Sequence, residues 1–170
     1  PFQLALSARS TLDAENGLAV HLAATNRSTT AAPYGCGSHP YITAGGEDVS
    51  ACELSFRAGK VLLTDDRLQP TELLDTAGTD FDFVQARTVD SQSLDHAFTA
   101  LPEGPWNVTL RNPALRLAAV VEADGTSVPW LQVYSGELRG RRGMAVEPMT
   151  CPPNAFNTGQ DLVVLEPGGS

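Results

Sequence analysis

One histidine loop and one glutamate are the parts of this sequence best suited to proton transfer. His39 lies in the segment Gly35-Cys36-Gly37-Ser38-His39-Pro40-Tyr41, where the glycines permit close backbone approach and the proline restricts the chain that follows. Such a histidine serves either in catalysis or in holding a loop together. Glu147 stands between an apolar run, residues 144–146, and a proline, a setting that disfavours a charged carboxylate. It therefore suits a general base working near neutral pH, or equally a glutamate at the exposed end of a strand.

Two further histidines and one aspartate are weaker candidates. His21 lies between two apolar residues of a strand-like run, so we expect it to point away from their face, toward solvent or a cross-strand partner. Asp95 and His96 belong to a polar segment that also contains an aromatic residue. Such a segment either binds a sugar or caps a turn.

The charge balance argues against several classes of partner. The chain carries 20 acidic and 11 basic residues, a net charge of −9, so we expect neither nucleic acid nor an anionic membrane to bind it. The basic cluster Arg139-Gly140-Arg141-Arg142 is short and lacks aromatic residues, and a solvated turn explains it better than an anion site. The sequence contains no phosphate-binding glycine loop, dinucleotide fingerprint, nucleophile elbow or metal-binding His-Glu-x-x-His helix. The motifs by themselves therefore do not indicate a reaction.

The cysteines indicate the compartment in which the protein works. Cys36, Cys52 and Cys151 form neither a disulfide framework nor a zinc-binding pattern, which favours the reducing cytoplasm. No apolar run approaches the length that a membrane-spanning helix needs. The chain opens on a strand-like run without an initiator methionine, and we interpret it as a fragment or a processed product.

Apolar residues recur at every second position over much of the sequence, as they do in half-buried strands. Asn16-Gly17 is expected to form a tight hairpin turn with positive φ at both residues. Residues 162–165 are apolar throughout and predict a strand buried on both faces. The sequence therefore predicts an all-β fold, an antiparallel β-sandwich. The alternating segments are residues 2–8, 18–24, 106–110, 115–121 and 131–133.

Helical patterns are short, and no domain boundary is visible. Residues 70–74 and 94–98 are each expected to form a turn or two of helix, and residues 1–170 to form a single β-sandwich domain. If the chain is part of a larger sandwich, its outer strands expose backbone groups and apolar faces. We then expect a homodimer, or association with an N-terminal half that this sequence does not contain.

Several segments, taken in order, resemble the aldose 1-epimerase (galactose mutarotase) family. Residues 37–41 resemble the family's His-Pro-Tyr/Phe motif, and Leu94-Asp95-His96-Ala97-Phe98 its Leu-Asp-His/Asp-x-Phe motif. Residues 131–136 are similar to its Leu-Gln-Val-Tyr-Thr strand, and residues 145–156 to its glutamate motif. The resemblance corresponds to the latter part of the family pattern, without the arginine and second histidine of the N-terminal part. Further matching segments are residues 68–71, 79–83 and 165–168.

The resemblance implies a galactose mutarotase-like β-sandwich, incomplete because the N-terminal part is absent, that acts on a monosaccharide and needs no metal and no organic cofactor. It implies that Glu147 is the base that removes the proton of the C1 hydroxyl, and that His39 is the acid that protonates the ring oxygen. The ring then opens, C1 turns about the C1–C2 bond, and the ring closes on the other face. The residues implied to bind the sugar are Asp95, Tyr41, Gln132 and Phe156.

Two other functions stay open. The fold could serve as a non-catalytic carbohydrate-binding sandwich, which calorimetry would distinguish by sugar binding without mutarotation. A mutarotase of hexose 6-phosphates would need a cationic pocket, for which only residues 139–142 offer the charge. For the 170-residue chain by itself we expect little or no activity.

Overall fold

Nearly all of the regular structure is β-strand. The computed structural model describes residues 2–45, 48–90 and 92–170, and the strands in them pair antiparallel. The helices are α1 (Ala155–Thr158) and two 3-10 turns, Val49–Ala51 and Glu137–Arg139. The all-β prediction is confirmed, and the described ranges contain no helix long and apolar enough to cross a membrane. The strands are β1 (Leu4–Asp13), β2 (Gly17–Asn26), β3 (Ala32–Tyr34), β4 (Tyr41–Ile42), β5 (Glu53–Phe56), β6 (Lys60–Thr64), β7 (Pro70–Asp75), β8 (Arg87–Thr88), β9 (Asp95–Thr99), β10 (Pro105–Asn112), β11 (Leu117–Asp124), β12 (Trp130–Tyr134), β13 (Met144–Met149) and β14 (Val163–Leu165).

The strands are distributed over two compact units. One unit comprises Pro1–Tyr34 and Leu162–Ser170, and the other comprises Gly35–Asp161. The residues best suited to acid–base chemistry, His39 and Glu147, lie in the second unit. That residues 1–170 form one domain stays a prediction.

A long hairpin makes up most of the first unit. β1 and β2 pair over their full lengths and end with Asp13 opposite Gly17. The prediction of positive φ at both turn residues is wrong for Asn16, whereas Gly17 does adopt it, at 74°. Asp13 explains the difference, because its carboxylate accepts hydrogen bonds from the backbone amides of Glu15 and Asn16 and holds a longer loop.

The hairpin has one apolar and one polar face. On the apolar face, Leu6, Leu12 and Leu18 are 68%, 82% and 67% exposed. His21 lies on the polar face, exposed and directly opposite Arg9, as the alternation predicts. A two-stranded ribbon is marginally stable in water, and a contiguous exposed apolar face usually marks a surface that is covered by something else.

We expect the apolar face of the hairpin to bind the dye anilinonaphthalene sulfonate. Replacing the cross-strand pair Leu12 and Leu18 by lysines should lower the dye's fluorescence, because two of the three most exposed leucines of this face are removed. The matched control is Thr11→Lys with Ala19→Lys, a directly paired couple on the polar face that adds the same charge. Equal fluorescence of the two double variants would contradict the prediction.

The remaining pairing of the first unit joins β3 to β14. The prediction that residues 162–165 are buried on both faces is wrong, since Val164 is 57% exposed while Leu165 is 7% exposed. A strand with side chains alternating between faces buries its whole length only when both faces are covered, and one face of β14 is not.

The second unit is a two-layer sandwich. Its six-stranded sheet has the order β4-β13-β12-β9-β6-β7, and its four-stranded sheet the order β11-β10-β5-β8. A continuous apolar core lies between the sheets, with Phe98 and Val133 from the first packed together with Leu54 and Val108 from the second. Each fully buried side chain of this size stabilises the fold by roughly 1.5–3 kcal/mol.

Two segments expected to be helical are strands. Residues 70–74 lie in β7, and residues 94–98 lie mostly in β9. β9 pairs with β12 on one side and with β6 on the other, so both of its edges are hydrogen-bonded. These distant pairings outweigh the local helical preference, which is weak for runs of one or two turns.

Candidate active site

One face of the six-stranded sheet carries most of the predicted site residues. Glu147 on β13 lies directly opposite Gln132 on β12, and directly paired residues share a face. Asp95 on β9 lies opposite Tyr134, two residues along β12 from Gln132, and therefore points to the same face. Tyr41 on β4 joins them through its pairing with residue 145 of β13. We call this surface the polar sheet face.

His96 points away from that face. Neighbouring residues of a strand point to opposite sides, so His96 lies on the core side, where its ring is 4.8 Å from that of Phe81. Its Nδ1 accepts a hydrogen bond from the backbone amide of Asp95 at 3.1 Å. Burial lowers the pKa of His96, partly offset by the charge of Asp95. His96 is thus a neutral packing residue, and Asp95 is the member of the pair that faces the site.

His39 and Glu147 are in direct contact. His39 Nε2 lies 3.0 Å from Glu147 Oε1, with the histidine side chain 56% exposed and the glutamate side chain 15% exposed. The His39 ring also stacks on Tyr41, with ring centres 5.2 Å apart. The loop that carries His39 is held along β13, since the amide of Ser38 donates to the Pro148 carbonyl at 3.2 Å. In this contact the His39 side chain is therefore exposed to solvent, whereas the Glu147 side chain is largely buried.

Glycines allow this loop to lie close to its neighbours. A Cβ at Gly35 would lie 2.7 Å from Cys151 Sγ, a distance that such atoms do not tolerate. A Cβ at Gly37 would lie 3.1 Å from Met149 Cγ and 3.3 Å from the Pro148 carbonyl oxygen. The prediction that the glycines permit close backbone approach is confirmed, since a side chain at either position would force the loop or its neighbours to shift.

The pKa of Glu147 is raised above the ordinary value of 4.5, chiefly because burial disfavours the charged carboxylate. The neighbouring His39 lowers this pKa and the negative charge of Asp95 raises it. The direction of this shift agrees with the sequence prediction, but Met144, Val146 and Pro148 alternate with Glu147 and point to the opposite, core side of the sheet, so they are not what buries the carboxylate. The carboxyl group can take up a proton at a pH where an exposed glutamate would not.

Asp95 and Gln132 form a second polar pair beside Glu147. Gln132 Nε2 donates a hydrogen bond of 2.7 Å to Asp95 Oδ1. The pair spans two strands diagonally, since Gln132 lies directly opposite Ala97 rather than Asp95. An ionised carboxylate and a fixed amide next to each other are suited to bind hydroxyl groups.

A cleft of about 380 Å³ opens beside the contact of His39 with Glu147. Phe156, on α1, contributes a ring that is 64% exposed at its edge. Asp95, Gln132 and Tyr41 lie outside the cleft lining, so the predicted residues are divided between the cleft and the polar sheet face. The lining consists of Gly35, Cys36, Gly37, Ser38, His39, Glu147, Met149, Cys151, Pro152, Asn154, Ala155 and Phe156.

Sequence reasoning missed the sulfur-containing wall of this cleft. Cys36, Met149 and Cys151 line it, and they come together because the chain before β4 pairs with the end of β13, where Gly37 bridges Met149. The two segments are more than a hundred residues apart, and no local pattern signals their pairing. The glycines on either side of Cys36 are the signal that could have pointed to a close neighbour.

The basic cluster at residues 139–142 is committed to the fold at its centre. Arg141 Nη1 donates to Glu137 Oε1 at 2.8 Å and to the Gln92 carbonyl oxygen at 3.1 Å. Its side chain is only 16% exposed. The predicted solvated turn is therefore wrong for Arg141, whose guanidinium fixes the loop after β12, while Arg139 and Arg142 are exposed.

The geometry provides an acid and a base side by side. A carboxylate that accepts a proton and an imidazolium that donates one can act on two oxygens bonded to the same carbon, because such oxygens are only about 2.3 Å apart by ordinary bond lengths and angles. The polar sheet face next to Glu147 supplies hydrogen-bonding groups, and Phe156 supplies an aromatic surface. This combination suits a polyhydroxylated ligand with a reactive hemiacetal carbon.

Comparison with known proteins identifies the chain's relatives. The family model for aldose 1-epimerase matches residues 1–170. YihR of Escherichia coli (strain K12), an uncharacterized protein, is 40% identical over 168 residues, which are 99% of this chain and 53% of YihR. The chain thus spans about half the length of the curated relative it matches.

Solved structures share the fold. The GalM/aldose epimerase homologue from C. elegans superimposes with a TM-score of 0.81 at 18% identity, covering 99% of this chain and 57% of that chain. A galactose mutarotase-like protein from Clostridium acetobutylicum gives a TM-score of 0.78 at 17% identity, covering 99% of this chain and 53% of the other. The predicted galactose mutarotase-like β-sandwich is confirmed.

Proposed function

The chain belongs to the aldose 1-epimerase family, and from this premise we propose that the protein it belongs to is a mutarotase that interconverts the α- and β-anomers of a free hexose. Because the chain spans about half the length of its relative, the proposal concerns the full-length protein. Within the chain, the proposed catalytic residues are His39 and Glu147, and the proposed sugar-binding residues are those of the polar sheet face and the cleft.

The observation that carries the proposal is the 3.0 Å contact between His39 Nε2 and Glu147 Oε1 at the mouth of the cleft. Mutarotation acts on the C1 hydroxyl and the ring oxygen, which are both bonded to C1. An acid and a base that serve these atoms must themselves lie close together, as these two side chains do. A pair that shares one proton in the resting state supplies one acid and one base at the same time.

The proposed reaction requires two proton transfers. Glu147 takes the proton of the C1 hydroxyl, the electrons of that O–H bond form the C1 carbonyl, and the bond between C1 and the ring oxygen breaks. The ring oxygen receives the electron pair of that bond and the proton of His39. After the aldehyde group turns about the C1–C2 bond, the same steps run in reverse and close the ring on the other face of the carbonyl. Each such transfer is worth about 10²–10⁴ in rate.

The remaining residues of the site would position the sugar. Asp95 accepts hydrogen bonds from ring hydroxyls, since an ionised carboxylate is an acceptor only. Phe156 offers its exposed ring to an apolar face of the sugar. Tyr41, stacked on His39, restricts the acid's orientation at the mouth of the cleft. A free hexose needs no cationic subsite, which agrees with the engagement of Arg141 in its own loop.

Polarimetry of freshly dissolved α-D-glucose and α-D-galactose tests the proposal. We expect the full-length protein to accelerate the approach to the equilibrium rotation of at least one of them over buffer. Acceleration that is lost in His39→Ala supports the assignment. No acceleration with either sugar, together with sugar binding in calorimetry, would favour the non-catalytic carbohydrate-binding function instead.

The pH dependence of the rate should report Glu147. Its raised pKa and its need to be ionised as a base predict that the rate falls on acidification at a pH above 4.5. Asp95→Asn removes a negative charge that raises this pKa, so the acidic limb of kcat/KM, which reports the protein without sugar, should move to lower pH. A limb at or below 4.5 in the unmodified protein, or a move to higher pH in Asp95→Asn, would contradict the prediction.

A further inference from the structure

The side-chain oxygen of Gln132, which lies opposite Glu147 on the polar sheet face, is buried. Its amide is oriented by Asp95, whose carboxylate can only accept hydrogen bonds, so the Nε2 end must face it. The Oε1 end consequently points elsewhere. Within the described part of the chain no group donates a hydrogen bond to this atom, although it is buried. A buried acceptor without a donor is unfavourable, because it has lost its hydrogen bonds to water and gained none in the protein.

The neighbours of Gln132 leave one suitable donor. Ala97, directly opposite on β9, has no polar side chain, and the Trp130 indole N–H is used by Asp161 at 2.8 Å. The Tyr134 hydroxyl lies at the Leu138 amide, 2.7 Å away. Of the described residues that flank Gln132 on its face, Glu147, directly opposite on β13, remains as a possible donor.

Cross-strand partners such as Gln132 and Glu147 have Cβ atoms about 4.5–5.5 Å apart, a separation that two side chains of this length can bridge. An ionised Glu147 has no proton to donate, so no hydrogen bond forms in that state. A protonated Glu147 has such a proton. The protonated and ionised states of Glu147 therefore differ in whether Gln132 Oε1 has a hydrogen-bond donor.

We propose that Gln132 is a positioning residue for Glu147, whose carboxyl O–H donates a hydrogen bond to Gln132 Oε1 while Glu147 holds the proton taken from the sugar. The inference rests on the proposed mutarotation. When the ring has opened, the aldehyde group turns about the C1–C2 bond before the ring closes on the other face. During that turn the O–H of Glu147 has no sugar oxygen as acceptor, and Gln132 Oε1 accepts its hydrogen bond instead. On closure Glu147 returns its proton to the oxygen on C1, and the sugar hydroxyl that becomes the ring oxygen returns its proton to His39.

Charged and ionisable groups around Glu147 also influence its pKa. His39, on the loop before β4, contacts Glu147 and lowers its pKa, and Asp95 on β9 raises it. Tyr41 and Tyr134 are the phenols of the same face. A hydrogen bond to the protonated form adds to the effect of burial, which is the main cause of the raised pKa of Glu147.

The test is the pKa of Glu147 in Gln132→Met, measured by carbon-13 NMR of the side-chain carboxyl groups in the full-length protein without sugar. Methionine keeps the length of glutamine and removes the acceptor. We expect the pKa to fall by about 0.5–1 pH unit, the size of one ordinary hydrogen bond. The substitution has two other consequences for Glu147. The methionine makes its surroundings more apolar, and Asp95 loses the hydrogen bond that Gln132 donates to it. Both raise the pKa of Glu147, so a fall of this pKa identifies the loss of the acceptor.

Two further variants complete the experiment. Gln132→Asn keeps an amide but shortens the side chain by one methylene, and the pKa of Glu147 should fall in it too. Tyr134→Phe changes the same strand and the same face without touching the acceptor, and should leave this pKa unchanged. For the sugar reaction, Gln132→Met should lower kcat about 3–10-fold.

Two results would overturn the inference. One is an unchanged or higher pKa of Glu147 in both Gln132 variants. The other is a raised KM with kcat and the pKa of Glu147 unchanged, which would mean that Gln132 binds a sugar hydroxyl and nothing more. The NMR titration needs no turnover, so it decides about Gln132 even if the protein proves inactive in polarimetry.

Discussion

Replacing Glu147 by glutamine should lower kcat for mutarotation by about 10²–10⁴-fold, the usual contribution of a positioned general base. Glutamine has the same shape and keeps an oxygen at the contact with His39, so the loop and the cleft should keep their geometry. What disappears is the ability to take up the proton of the C1 hydroxyl. The measurement is polarimetry with the full-length protein under saturating sugar.

The control for this variant is Glu122→Gln, which makes the same chemical change on β11, where Glu122 is exposed. We expect its kcat to equal that of the unmodified protein. Similar losses in both variants would point to a general effect of charge on the sandwich. A full rate in Glu147→Gln would remove Glu147 from the reaction.

The same substitution should make the protein more stable. The pKa of Glu147 is raised in the folded state, so the unfolded chain loses this proton first as the pH rises. Stability therefore falls between the ordinary value of 4.5 and the raised folded value, and the charged group remains destabilising above both. Glutamine carries no such charge. The melting temperature of Glu147→Gln should exceed that of the unmodified protein at neutral pH, and the difference should vanish below pH 4.5.

Replacing His39 by asparagine should have an effect of the same order on kcat, about 10²–10⁴-fold, because the ring oxygen loses its proton donor. Asparagine can still donate a hydrogen bond but is not an acid. The His39 side chain is 56% exposed, so the space that it leaves is open to solvent. Added imidazole should therefore restore part of the rate, in proportion to its protonated fraction.

His21→Asn is the matched control, since His21 is exposed on β2, opposite Arg9, and takes no part in the site. Its kcat should be unchanged, and imidazole should not affect it. A slow His39→Asn that imidazole fails to accelerate at any pH would assign His39 a structural role in the loop. A structural role of His39 in its loop is the alternative that the sequence leaves open.

The local features of the site were accessible from sequence. The glycines around His39 predict close backbone approach, and the direction of the pKa shift of Glu147 is predicted as well. The alternation of apolar residues predicts the strand that carries Gln132, whereas no such alternation marks the strand that carries Glu147. The family model covers all of these segments, and the reaction assigned to them is a proposal.

Features that depend on strand register were not accessible. Asp95 and His96 are neighbours in the sequence, and only the pairing of β9 with β12 decides which of them faces the site. The prediction of helix for the segment around them is wrong because β9 is held as a strand by its pairing with β6 and β12. Both strands are distant in the sequence, so no local pattern signals the pairing. The contribution of Met149 to the cleft likewise depends on its bridge to Gly37.

The most direct test of the account is the rate of mutarotation by the double variant His39→Asn with Glu147→Gln. If the two side chains form one acid–base unit, either single variant already abolishes the concerted proton transfer. The double variant should then be no slower than the slower single variant, within a factor of about three. Losses that multiply, so that the double variant is slower by the product of the two single effects, would mean that His39 and Glu147 act independently and would contradict the account.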